Sequence, residues 1–374
     1  MSDEEYLEEE VVTHTGVGAR LKAAREERGL DLIVITDHSN SAGSMDCETG
    51  DVEDCPNQGS EFPAQGDAAA HASGSPQVVV GLELSPVESL ESTSIPTGHV
   101  GCLPRSADTF TGNDEAVTDR PPGSVSGGQG VVWCHEAGGL AVINHPFSIA
   151  GWISYDWTTG SYDALEIFNG GGRFDANDAQ GVEAWLCDLA QGKATIPLGG
   201  SDSHRAGTPT PPLELLDQAV GFPTTWAWST EGDADGILEA ISLGRVIVGD
   251  PRGRLDVVAH DDKSAAGPGE TLRTGAASVR LEVTATVPVS GINLQVIDIQ
   301  EADCLADPRW TTGGVPSYSP TVIHQTSLRP EAEEQVSIEV PAGSSIVVRT
   351  WPEDSPGVMG DGIILAAPIQ VQRD

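Results

Sequence analysis

An α/β barrel followed by an all-β sandwich is the fold this sequence predicts, and three observations carry it. Over residues 1 to 250, short runs of apolar, β-branched residues alternate with segments of helical spacing. Side chains of metal-ligating type follow those runs, and barrels of alternating strands and helices build their active sites at that strand end. From 251 to 374 the strands continue between Gly/Pro turns without a convincing helix, at the size of an immunoglobulin-like sandwich.

Residues 16 to 28 carry Leu21, Ala23 and Ala24 among charges and stop at Gly29, which predicts a helix with a glycine C-cap. Leu30 to Thr36 follows as a buried strand. Residues 39 to 76 and 104 to 130, rich in Gly, Ser, Asp, Glu and Pro, read as long surface loops that shape the mouth of a pocket. Strands are expected at Gln77 to Leu84, His99 to Leu103, Leu140 to Asn144, Ala164 to Phe168 and Ile196 to Leu198. Helices are expected at Val131 to Ala137 and over 175 to 191, where Ala179, Val182, Trp185, Leu186 and Leu189 share a face. Beyond Gly249, strands are expected around Leu255 to Ala259, Val279 to Val287, Ile292 to Ile299, Val336 to Val340, Ile346 to Thr350 and Ile363 to Val371.

The chain has 374 residues, enough for two domains, and 38% hydrophobic content with 8 Trp supplies real cores. Its 57 acidic against 19 basic residues give a formal charge of -38. Such a surface repels phosphate backbones and anionic membranes, so nucleic acid is not an expected partner. A small phosphate ester remains compatible, because clustered metal ions invert the local field. No apolar run approaches the roughly 20 residues needed to cross a bilayer. The acidic stretch Met1 to Glu10 resembles no signal peptide. Cys47 and Cys55 bracket a polar loop and could close a disulfide, whereas Cys102, Cys134 and Cys187 lie in apolar contexts and read as buried thiols. Cysteine usage therefore leaves cytoplasmic and secreted locations both open.

Six groups stand at the ends of expected strands: His38, Glu83, His99, His145, Asp202 and His204. Each alone is ordinary turn chemistry; together, imidazoles and carboxylates suit Zn, Mn or Fe, ions that serve as Lewis acids and activate water. Asp202 and His204, two apart in an extended segment, can reach one cluster, and Gly199-Gly200 before them permit close backbone approach. Asp37 is placed to orient the neighbouring imidazole. Arg205 could contact an anionic leaving group, against the plain reading of a surface arginine. A metallohydrolase is the expected function.

The order of these motifs over residues 16 to about 250 resembles the PHP (polymerase and histidinol phosphatase) superfamily. The resemblance rests on Arg28-Gly29-Leu30 through Thr36-Asp37-His38, Gly81-Leu82-Glu83, Gly98-His99, Gly138-Gly139-Leu140 through Asn144-His145-Pro146, and Gly200-Ser201-Asp202-Ser203-His204. It implies a distorted seven-stranded β/α barrel, two or three metal ions and phosphoesterase-type hydrolysis. The segment Ile237 to Val246 looks closest to the carbaryl-hydrolase-like branch, whose members need not hydrolyse phosphate esters.

The family's opening His-x-His pair has no counterpart here: His14 is the only nearby histidine, and Val12 fills its partner's place. Aligning Ser2-Asp3 with the family's Ser-Asp puts that pair, and any signal peptide, upstream of Met1. The other reading is a degenerate, non-catalytic barrel whose sandwich serves partner or surface binding.

Overall fold

The computed structural model describes residues 29–36, 76–84, 86, 98–107, 109–110, 125–147, 161–170, 173–202, 220–302, 304, 318–353 and 360–374. The helix expected over 16 to 28, Cys47 and Cys55, the loop 39–75 and most of 104–130 lie outside them. No helix among the described residues is long and apolar enough to cross a membrane.

The elements run β1 (Leu32–Ile35), β2 (Gln77–Val80), β3 (Leu82–Leu84), β4 (His99–Leu103), α1 (Gly127–Glu136), β5 (Leu140–Asn144), β6 (Ala164–Asn169), α2 (Ala176–Ala190), β7 (Ile196–Gly200), β8 (Thr224–Ala227), α3 (Ala234–Ser242) and β9 (Val246–Gly249). Then come β10 (Arg254–His260), β11 (Ala265–Ala266), β12 (Thr271–Thr274), β13 (Ser278–Thr286), β14 (Ile292–Asp298), β15 (Thr321–Ser327), β16 (Glu334–Pro341), β17 (Ser345–Pro352), β18 (Ile364–Ala366) and β19 (Ile369–Arg373).

The expected β/α barrel is not what forms. Among the described residues the fold is mostly β, 46% strand against 15% helix with three helices, and the several sheets they form do not close. Strands β3 to β7 make one five-stranded sheet in sequence order, but only β5, β6 and β7 are parallel; β4 runs antiparallel to β3 and β5. At its β7 edge, the next strand contributes a side chain instead of a ladder. Gly199 N–H donates to Thr225 Oγ1 at 3.1 Å, and that hydroxyl donates to Gly199 O at 2.9 Å. β8 instead pairs with β9 across the α3 connection, and β9 with β18, so this pair joins an eight-stranded sheet that also holds β12, β14, β15, β17 and β19. At the other edge, β1 and β2 form a separate parallel pair. The chain breaks between β2 and β3 at Gly81, whose backbone lies too close to Cys102 O and Thr36 for a Cβ.

Local chemistry explains the helices. Ser126 caps α1 in a reciprocal box with Gln129, Asp175 does the same for α2 with Asp178, and Asp233 caps α3. The capping box starts α1 four residues before the expected Val131. Trp185, fully buried on α2, donates its indole N–H to Thr195 O at 2.9 Å, so its polar edge is satisfied while its burial contributes about 2–3 kcal/mol.

In the C-terminal part, β13 alternates buried Val279, Leu281, Val283 and Ala285 with polar residues facing outward. With β10, β11 and β16 it forms a four-stranded sheet whose buried face shares one cluster with Leu294, Val296, Ile346 and Val348 of the eight-stranded sheet. No helix occurs among the described residues beyond 251. The cysteines expected as thiols are paired: Cys102 with Cys134, joining β4 to α1, and Cys187 with Cys304, joining α2 to the segment after β14.

Candidate metal centre

Each strand of the five-stranded sheet delivers one ionisable group toward the same end of the sheet. Glu83 lies within β3, His99 opens β4, His145 follows β5, Glu166 lies within β6 and Asp202 follows β7. The strand expected at His99 to Leu103 forms with those bounds, so His99 stands at its start and not at the C-terminal strand end where a barrel would put a ligand. Because β4 is antiparallel, with His99 opposite Asn144, that start falls beside its neighbours' ends.

Three of the groups converge. His99 Nδ1 is 2.9 Å from His145 Nε2 and 3.0 Å from Glu83 Oε1, and His145 Nε2 is 3.4 Å from Glu83 Oε1. Ligand atoms about 2.1 Å from an ion at tetrahedral angles stand about 3.4 Å apart, so this spacing fits a shared cation. Glu83 and His145 are buried, and His99 nearly so. One carboxylate and two imidazoles make a donor set for a borderline-soft divalent ion, and the Glu83–His99–His145 group can bind a metal ion.

A second layer holds these ligands in place. Asn144 Nδ2 donates to Glu83 Oε1 at 2.9 Å. Room for that amide comes from Gly101, where a Cβ would stand 2.6 Å from Asn144 Oδ1. His145 adopts a left-handed backbone, φ 28°, and its N–H donates to Glu166 Oε2 at 2.8 Å. Asn169 Nδ2 donates to the same oxygen at 3.1 Å and to Asp202 Oδ2 at 3.4 Å, while the Asn169 N–H is held by buried Asp178. Asp202 is also left-handed, φ 47°. Gly200 leaves room for Glu166, whose Oε1 would be 2.7 Å from a Cβ there.

The electrostatics favour a cation. Burial, the largest influence on His145, opposes its protonation; hydrogen bonding and charge from Glu83, with Glu166 and Asp202 behind, outweigh it and raise the pKa to about 9. Burial likewise lifts Glu166 to about 7, reinforced by the Asp202 charge and opposed by His145 and Asn169. The carboxylates that hold that proton would attract a metal ion too, and the ion must displace the proton to bind.

Of the six ligands read from the sequence, Glu83, His99 and His145 come together, and Asp202 is linked to His145 through two residues, Asn169 and Glu166. His38 and His204, with Asp37 and Arg205, lie outside the described residues. Glu166, Asn144 and Asn169 were not singled out for roles. Glu166 had a signal: an acid in the apolar run Ala164-Leu165-Glu166-Ile167-Phe168, followed by Asn and a glycine triplet. Comparison with protein-family models, curated proteins and solved structures found no match to this chain.

Proposed function

We propose that this chain is a metal-dependent hydrolase of small-molecule esters or phosphoesters. The observation that carries the reading is the convergence of Glu83, His99 and His145 on one buried point. A divalent ion held there would polarise the scissile carbonyl or phosphoryl oxygen and acidify a water. Asn144 fixes the Glu83 carboxylate for that task, and Glu166 fixes the His145 backbone. Zn, Mn and Fe suit the donors, and a second or third ion belongs with Asp202, His38 and His204. Kinship with the PHP superfamily is part of the proposal, on motif order and not on a closed barrel.

The test is elemental analysis of the purified chain beside a His99→Ala/His145→Ala variant, followed by ester and phosphoester assays. At least one tightly held Zn, Mn or Fe ion, absent from the variant, with hydrolysis that depends on it, is expected. A folded chain that takes up none of the three ions when each is supplied would overturn the reading.

A further inference from the structure

A cavity of about 550 Å³ opens beside the metal-binding group. That volume lies in the range of roughly 300–1,000 Å³ used by small-molecule sites. Glu83, Asn144, His145, Glu166, Asn169 and Asp202 form its polar end. Away from that end the strands and α3 line it with apolar side chains, among them Leu32, Val34, Leu103, Val142, Leu198 and Ile241. These belong to two apolar clusters, one around β5 and β7 and one around β1, β2 and α3.

The charge of the wall is one-sided. Among its described residues are four carboxylates, Asp31, Glu83, Glu166 and Asp202, and no lysine or arginine. A dianionic phosphate entering would meet no guanidinium or ammonium among these residues and would have only the bound ion to pair with, whereas phosphate sites are ordinarily built with such donors as well. An uncharged carbonyl pays no such penalty, and an apolar substituent gains by filling the cavity.

We infer, on the strength of the hydrolase reading above, that this site takes an uncharged carboxylic ester bearing an apolar group, and not a phosphomonoester. In the reaction the water oxygen bonds to the carbonyl carbon and the C–O bond to the alcohol breaks. The alcohol leaves with one water proton and the acid releases the other. The carboxylate product is an anion, which the acidic end of the cavity repels, favouring its release.

The experiment has a binding arm and a turnover arm. Metal-free chain is titrated with the neutral fluorophore N-phenyl-1-naphthylamine, then with phenyl butyrate or phenyl phosphate as competitor. Displacement by phenyl butyrate at concentrations at least about tenfold lower than phenyl phosphate is expected, with the margin narrowing in Ile241→Lys, which puts a cation in the wall. Chain reloaded with Zn or Mn is then assayed on p-nitrophenyl butyrate and p-nitrophenyl phosphate, and the higher kcat/KM is expected for the butyrate. Failure to bind the fluorophore, equal displacement by the two competitors, or preferred turnover of the phosphate would each overturn the inference. The hydrolase reading fails differently, by absence of retained metal, so the two failures are told apart.

Discussion

The Glu166 carboxylate accepts the backbone N–H of His145 at 2.8 Å, at the residue where the chain takes a left-handed turn off β5. A non-glycine residue at positive φ costs of order 1 kcal/mol or more and persists when its surroundings hold it. Here the bond to Glu166 is part of what holds it, and the turn is what aims the imidazole at Glu83 and His99. The geometry of the ligand that follows β5 is thus held in part by a side chain from β6.

Removing that hold is expected to weaken metal binding without removing a ligand. Glu166→Ala should lower affinity by about 10–100-fold, while Glu166→Gln, which keeps an oxygen for the His145 N–H, should retain most of it. Calorimetric titration with Zn checks both. An alanine variant that binds as tightly as the parent would remove Glu166 from this role.

Gly101 makes a second, steric prediction. A methyl group there must push the Asn144 amide off Glu83, because the ideal Cβ lies 2.6 Å from Asn144 Oδ1. Gly101→Ala should cost about 1–3 kcal/mol of stability and also reduce bound metal. Thermal unfolding and metal content measured on the same preparation test it; unchanged metal content would show that Glu83 does not depend on Asn144.

How much of this was legible in the sequence differs by level. Strand positions from β3 to β7 followed from apolar runs, since continuous burial leaves its mark on composition. Pairing did not, because Leu140 to Asn144 reads alike whether its neighbour is parallel or antiparallel. The barrel expectation failed at that level: it took β4 for a parallel strand and required a ladder beyond β7, where Thr225 offers a hydroxyl. His99 reaches the site from the start of its expected strand because β4 is antiparallel, a direction that the barrel expectation does not contain. Glu166 and Asn169 went unread because their roles come from neighbours 21 and 33 residues away, His145 and Asp202. The Cys187–Cys304 bridge spans 117 residues, a separation at which local context says nothing.

That bridge ties α2 to the segment after β14, and the Ala302 N–H donates to Ala190 O beside it. A crosslink over so long a stretch restricts the unfolded chain strongly. Cys187→Ser/Cys304→Ser is expected to lose about 4 kcal/mol, and the parent to lose a similar amount on full reduction of that bond. Denaturant unfolding with and without reductant measures it. If reduction leaves the midpoint unchanged, the bridge does not staple the two parts.

Asp250 follows β9 directly and is 1% exposed, yet it is fully engaged. Its Oδ1 accepts the N–H and Nε of Arg252, and its Oδ2 accepts Arg252 Nη2 and the Gly362 N–H, tying β9 to the turn before β18. Burial alone would raise its pKa; the Arg252 and Gly362 hydrogen bonds and the guanidinium charge outweigh that and hold it below the usual carboxylate range. A folded-state pKa below the unfolded one means the native state favours the ionised form. The resulting stability is present above the unfolded value, about 3.9, and is lost as pH falls through the lower folded value. Asp250→Asn should therefore cost about 2 kcal/mol at neutral pH, and its deficit relative to the parent should shrink below about pH 4. Paired unfolding curves across that span decide it, since the other carboxylates are common to both proteins. A deficit that stays constant on acidification would mean that the lost contribution is one of shape and packing, not of the Asp250 charge.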